Sequence, residues 1–128
     1  MKWMGVAAVL AVAALLGGCG ADPAAGTHLV MMTERLAYEP ATLTINAGET
    51  VEWKNDSLLI HTVTADPKLA KAADSVSLPP GAKPFNSGDI LPGGSFHYTF
   101  TKPGTYRYFC IPHEMMGMIG TVVVNPSP

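Results

Sequence analysis

An all-β sandwich of about seven to eight short strands, connected in Greek-key fashion, is the fold class this sequence predicts. Three observations carry the prediction. Short runs rich in Val, Thr, Ile and aromatic residues recur along the chain, glycine- and proline-based turn signals separate them, and one run alternates strictly between apolar and polar positions.

The first run, His28–Thr33, opens the folded part. Thr42–Asn46 and Thr50–Asn55 follow, divided by Ala47-Gly48, a pair suited to a tight reversal. His61–Ala65 is the fourth. Pro92-Gly93-Gly94 leads into the fifth, Ser95–Thr101, in which Phe96, Tyr98 and Phe100 face one side and His97 and Thr99 the other. Lys102-Pro103-Gly104 turns the chain into the sixth, Thr105–Cys110, and Ile119–Asn125 is the last. Strands punctuated in this way predict an antiparallel sandwich. The stretch Asp66–Asp89 is less regular: Lys68–Asp74 is expected to form a short helix and Pro79-Pro80-Gly81 a loop. The Pro-Ser-Pro end cannot extend a strand. At 128 residues, without an internal repeat, the chain allows a single domain.

Residues 1–18 differ from the rest. Lys2 is their only charge, and the thirteen apolar residues Met4–Leu16 would span roughly 20 Å as a helix, short of a hydrocarbon core of about 30 Å. This is the pattern of a signal peptide, not of a membrane span. It runs into Leu16-Gly17-Gly18-Cys19, which resembles the bacterial lipobox, a signal in which the cysteine is diacylated and becomes the first mature residue. Residues 19–26 then read as a lipid-attached tether and 27–128 as the folded domain. The expected location is the cell envelope, exported and lipid-anchored through Cys19, periplasmic or on the outer face of the cytoplasmic membrane. The formal charge is −2; without Lys2, ten acids against seven bases leave −3. With no Lys/Arg cluster, nucleic acid is not an expected partner.

With Cys19 carrying lipid, Cys110 is the only thiol of the exported chain and has no intramolecular disulfide partner. A lone thiol in an oxidising compartment is open to damage unless a metal or another group occupies it. Cys110 ends a strand, His113 follows three residues later, and Met115, Met116 and Met118 offer thioethers beyond it. Thiolate, imidazole and thioether are soft or borderline donors that suit copper and not magnesium or calcium. Two histidines and a cysteine with a long axial methionine form the donor set of a blue-copper centre. The second histidine must come from elsewhere. His61 is the best placed, at a strand–loop junction after Asp56–Ile60, whereas His28 lies beside the tether and His97 points away from the aromatic face.

At this point the chain resembles the cupredoxins of the plastocyanin, pseudoazurin and halocyanin group. Cys110, His113 and Met118 match that group's C-x2-H-x4-M loop. Tyr38-Glu39-Pro40, Ala47-Gly48-Glu49-Thr50-Val51, Trp53-Lys54-Asn55, Phe85-Asn86-Ser87-Gly88 and Pro92-Gly93 extend the likeness over most of residues 28–124. The resemblance implies a ligand set of His61, Cys110, His113 and Met118, with Met118 axial and Met115 and Met116 at the rim. Two positions depart from the group. Thr62 stands where an asparagine often ties the two ligand loops together, and it has a shorter reach and less hydrogen-bonding capacity. Ile111 stands where Ser or Thr is frequent.

The expected function is that of a mononuclear blue-copper electron carrier. It would work as a monomer, without catalysis of its own, between membrane-associated donor and acceptor proteins. Pro112, Met115 and Met116 would form the docking patch around His113, with Glu114 as a single exposed charge beside it. The alternative is a copper-binding or delivery protein of the cell envelope. An enzymatic copper domain would need further histidines, and only His28 and His97 remain.

Overall fold

A computed structural model describes residues 26–128. The signal peptide, Cys19 and the tether up to residue 25 lie outside the described residues. Among the described residues, nine strands make two sheets. β1 (Thr27–Met32), β2 (Tyr38–Glu39), β4 (Thr50–Asn55) and β7 (Ser95–Thr99) form one, in the order β2-β1-β4-β7. The other has the order β3-β9-β8-β5-β6. It is built from β3 (Thr42–Asn46), β5 (Thr64–Ala65), β6 (Phe85–Asn86), β8 (Gly104–Phe109) and β9 (Ile119–Asn125).

Period-two alternation turns one face of each sheet inward. Val30 and Met32 of β1 and Val51 and Trp53 of β4 are fully buried. They share the core with Tyr106 and Tyr108 of β8 and Val122 and Val124 of β9. Trp53 crosses between the sheets, its Nε1–H donating to the Tyr108 hydroxyl at 3.0 Å. Tyr108 also meets Tyr38 edge-on, with ring centroids 4.6 Å apart. That stack needs a glycine opposite: a Cβ at Gly120 would lie 2.3 Å from the Tyr108 ring. The aromatic side of β7 packs as expected, with Tyr98 stacked on Phe85 at 4.0 Å and Phe100 buried.

Several expectations need correction. The sandwich is mixed, because β1 pairs with β4, and β3 with β9, in parallel. Neither pair is joined by a hairpin. β3 sits in the opposite sheet between β1 and β4, and such a crossover is what parallel neighbours require. β2 and β6, two residues each, were too short for a periodic signal. Strand His61–Ala65 shrinks to Thr64–Ala65, because its backbone amides bond elsewhere. His61 makes an isolated bridge with Ile90, Thr62 N donates to Cys110 Sγ and Val63 N to Ser87 Oγ. The expected helix Lys68–Asp74 is replaced by two 3-10 turns, Pro67–Leu69 and Ala73–Ser75. Between them the amides of Lys71 and Ala72 bond to the Glu114 carboxylate at 2.9–3.1 Å, where a helix would have used its own carbonyls.

Candidate metal centre

β8 delivers Cys110 to one end of the sandwich, where its side chain is fully buried. Pro112 then starts a tight turn, Ile111–Met116, that swings His113 back over the thiol. Gly117, in the left-handed region at φ 84°, ends the turn and sends Met118 into β9. The loop closes on its own backbone. His113 N donates to Cys110 O at 3.2 Å, Cys110 N to Met118 O at 3.1 Å and Met118 N to His113 O at 3.2 Å.

His61 comes from the facing segment. Its Nδ1 stands 3.6 Å from Cys110 Sγ, and His113 Nδ1 stands 3.4 Å from the same sulfur. The two imidazoles meet at 64° with centroids 5.0 Å apart. All three donor atoms lie within 4.8 Å of one another, and among the described residues no other group of His, Cys, Asp or Glu converges in this way. Cys110 is also the one free cysteine among them.

Asn55 shapes the approach to His61. Its Nδ2 donates to the carbonyls of Leu59 and Ile90, and its Oδ1 accepts from the Ser57 amide and hydroxyl. Asn55 is not a metal-ligand type and so carries no such signal in the sequence, although Asn-Asp-Ser at a strand end is turn chemistry. Thr62 keeps the tie between the segments of His61 and Cys110 despite its short side chain. Its Oγ1 accepts from Ile111 N at 2.8 Å while its own amide donates to Cys110 Sγ at 3.3 Å. Tyr38 adds a bond from its hydroxyl to Thr62 O.

Burial pushes the Cys110 thiol up from its usual range, against the opposing hydrogen bonds from Thr62 and His113. Burial first, and then the neighbouring His113, pushes His61 down; the Thr33 backbone and Glu34 oppose by less. A neutral imidazole is the form that ligates a metal. His61 Nε2 is buried without a hydrogen-bond partner, so this ring is not fixed by a polar network of its own. A metal bonded at Nδ1 would supply that constraint. Sulfur and two imidazole nitrogens, enclosed and without carboxylates, fit copper. Zinc accepts the same donors.

The methionines separate by burial: Met118 is fully buried, while Met115 and Met116 are 72% and 66% exposed. Pro112 is exposed too, as are Leu58, Leu59, Ile60 and Leu91, which neighbour His61 and its bridge partner Ile90 in sequence. Glu114, expected at the surface, is 5% exposed and turned inward. Burial acts to raise its carboxyl, but bonds from Ala72, Ser75 and Lys71 overcome this and hold it below the usual carboxylate range. His28 pairs with Glu49, and His97 with Glu52, neither of them in the metal cluster.

Residues 25–125 match the family described as copper binding proteins, plastocyanin/azurin family. The chain belongs to that family. Plastocyanin of Scenedesmus fuscus is 40% identical over 70% of this chain and 88% of its own length. Plastocyanin of Ginkgo biloba is 34% identical over 89% of this chain and all of its own. A copper(I) form of an amicyanin variant superposes with a TM-score of 0.61 at 28% identity, covering 78% of this chain and 83% of the other. The protein is therefore a copper-binding cupredoxin and not an enzyme.

Proposed function

We propose that this cupredoxin is a one-electron carrier whose copper is held by His61, Cys110 and His113, with Met118 as the axial donor. The observation that carries the reading is the convergence of two imidazole nitrogens on one buried thiol, at 3.6 and 3.4 Å, from two segments braced against each other. A bound copper supplies a Cu(II)/Cu(I) couple. The chain's part is to hold a donor set that need not rearrange between the two states. Buried His61 and Cys110 are packed on all sides, and the Thr62–Ile111 bond joins their segments. His113 is partly exposed and gives the shortest way out.

Pro112, Met115 and Met116 form the docking surface in this reading, with Leu58, Leu59, Ile60 and Leu91 continuing it. An exposed apolar patch of this kind favours brief, adaptable contacts with redox proteins. The domain works as a monomer, exported and tethered by lipid at Cys19, between membrane-associated partners. The Leu-Gly-Gly-Cys motif after an apolar run supports that placement.

Copper(II) added to the metal-free protein should give an intense visible band from a thiolate–copper bond, and Cys110→Ser should abolish it. A strong band that survives Cys110→Ser would overturn the assignment. A delivery role would show instead as rapid copper loss to a metal-free acceptor with slow electron exchange.

A further inference from the structure

The end of the sandwich away from the metal centre carries an open cleft of about 500 Å³, lined in part by Lys83, Lys102, Thr101, Tyr98 and Tyr106. The Tyr106 hydroxyl donates to the Lys102 carbonyl at 2.7 Å and braces the turn. The Lys102 ammonium lies over Gly81, where a Cβ would stand 2.6 Å from Nζ. No carboxylate lines the cleft, and the ion pairs among the described residues involve neither lysine.

β1 starts at this same end: Thr27 pairs with Thr50, and Thr50 with Thr99, two residues before Thr101. From there β1 and β4 run side by side toward Asn55 and the metal centre. β8 covers about 17 Å between Gly104, beside the cleft, and Phe109, beside Cys110. At the far end Asp89 acts on Cys110 and Glu34 on His61, while Glu52 on β4 is paired with His97. Glu49, at the near end, is engaged by His28.

We propose that the lysine cleft seats phosphate headgroups of an anionic bilayer and holds the domain with its metal end away from the membrane. The proposal rests on reading Cys19 as the lipid anchor. Seven residue steps separate Cys19 from Gly26, a reach of at most about 25 Å, so an acyl group on Cys19 keeps this end near the headgroups. Lysine close to an anionic surface strengthens attraction roughly five-fold per residue. The exported chain carries −3 overall, so the surface repels the domain as a whole while attracting this one end. The result is orientation, and it leaves Met115 and Met116 facing partners.

The test is lysine acetylation, read residue by residue by mass spectrometry, on the native protein in nanodiscs of phosphatidylcholine with or without phosphatidylglycerol. Lys83 and Lys102 should react at least ~5-fold more slowly on the anionic discs, with Lys54, Lys68 and Lys71 unchanged. Equal labelling on both lipids, or protection of Lys54, Lys68 and Lys71 instead, overturns the proposal. Equal protection by inorganic phosphate without discs would assign the cleft to a free anion and overturn it as well. Lys83→Gln with Lys102→Gln should remove the lipid dependence of hydrogen exchange across residues 101–106. The intact mass separates the two readings. An unacylated Cys19 removes the anchor and the orientation together, whereas an acylated chain with equal labelling removes the cleft alone.

Discussion

The two segments that meet at the thiol are built in opposite ways. Residues 110–118 carry three candidate donors within nine positions and are shaped by their own backbone, through the bonds among Cys110, His113 and Met118. Residues 55–65 carry one donor and borrow their shape. Ile90 bridges His61, Ser87 takes the Val63 amide, Tyr38 bonds Thr62 O, and Asn55 gathers the loop before them. A compact motif is therefore half of the centre. The other half is a strand end held open by distant groups, which leaves His61 wholly buried and His113 partly exposed.

The largest expected effect follows from that difference in exposure. His61→Gly and His113→Gly should each lose the native visible band on copper addition. Added imidazole should restore it in His113→Gly, whose vacated site opens to solvent, and fail in His61→Gly, whose site is closed. Equal rescue, read by absorption, would break the comparison.

Met118→Gln should keep the colour and lower the reduction potential, because an oxygen donor favours Cu(II) over Cu(I). Voltammetry should find a shift several times that of Met115→Gln or Met116→Gln, whose parent side chains point outward. A largest shift at Met115 would mean that the loop places a different thioether at the metal.

Charging the patch by Met115→Lys or Met116→Lys should slow electron exchange with the native partner at least ~10-fold, a docking penalty of about 1.4 kcal/mol, with the spectrum almost unaltered. Stopped-flow exchange is the measurement. Unchanged rates would move the electron port away from His113.

The smallest effect probes the joint between the segments. Thr62→Val keeps the shape but leaves the Ile111 amide without its acceptor, at a cost of about 1 kcal/mol in urea unfolding of the metal-free protein. Thr62→Ser should retain most of the stability. A neutral Thr62→Val would show that the segments are held by packing alone.

Strands whose edges pair along their whole length were legible in the sequence. Thr42–Asn46, Thr50–Asn55 and Ile119–Asn125 have the expected bounds, because alternation and a flanking turn act within the strand itself. The stretch Asp66–Asp89 was not legible. Its 3-10 turns depend on Glu114, more than forty residues away, and β6 exists only against β5. Glu114 shows the same limit from the other side. A carboxylate in a loop next to a candidate ligand reads as surface charge, and only the amides of Lys71 and Ala72 turn it inward. The departure at Thr62 implied a weaker tie, yet the hydroxyl reaches Ile111 because the two backbones approach closely there.

The sequence by itself determined the donor chemistry. A thiol, an imidazole and thioethers at fixed spacing in one loop define a soft site whatever surrounds them. It also determined that Phe96, Tyr98 and Phe100 share one face of their run, since period-two alternation is local. The tertiary structure decided how His61, already the best-placed histidine, meets the thiol, that Glu114 turns inward, and that β1 and β4 run parallel. Those outcomes depend on contacts between residues tens of positions apart, set by crossing sheets and by buried amides that must find acceptors somewhere.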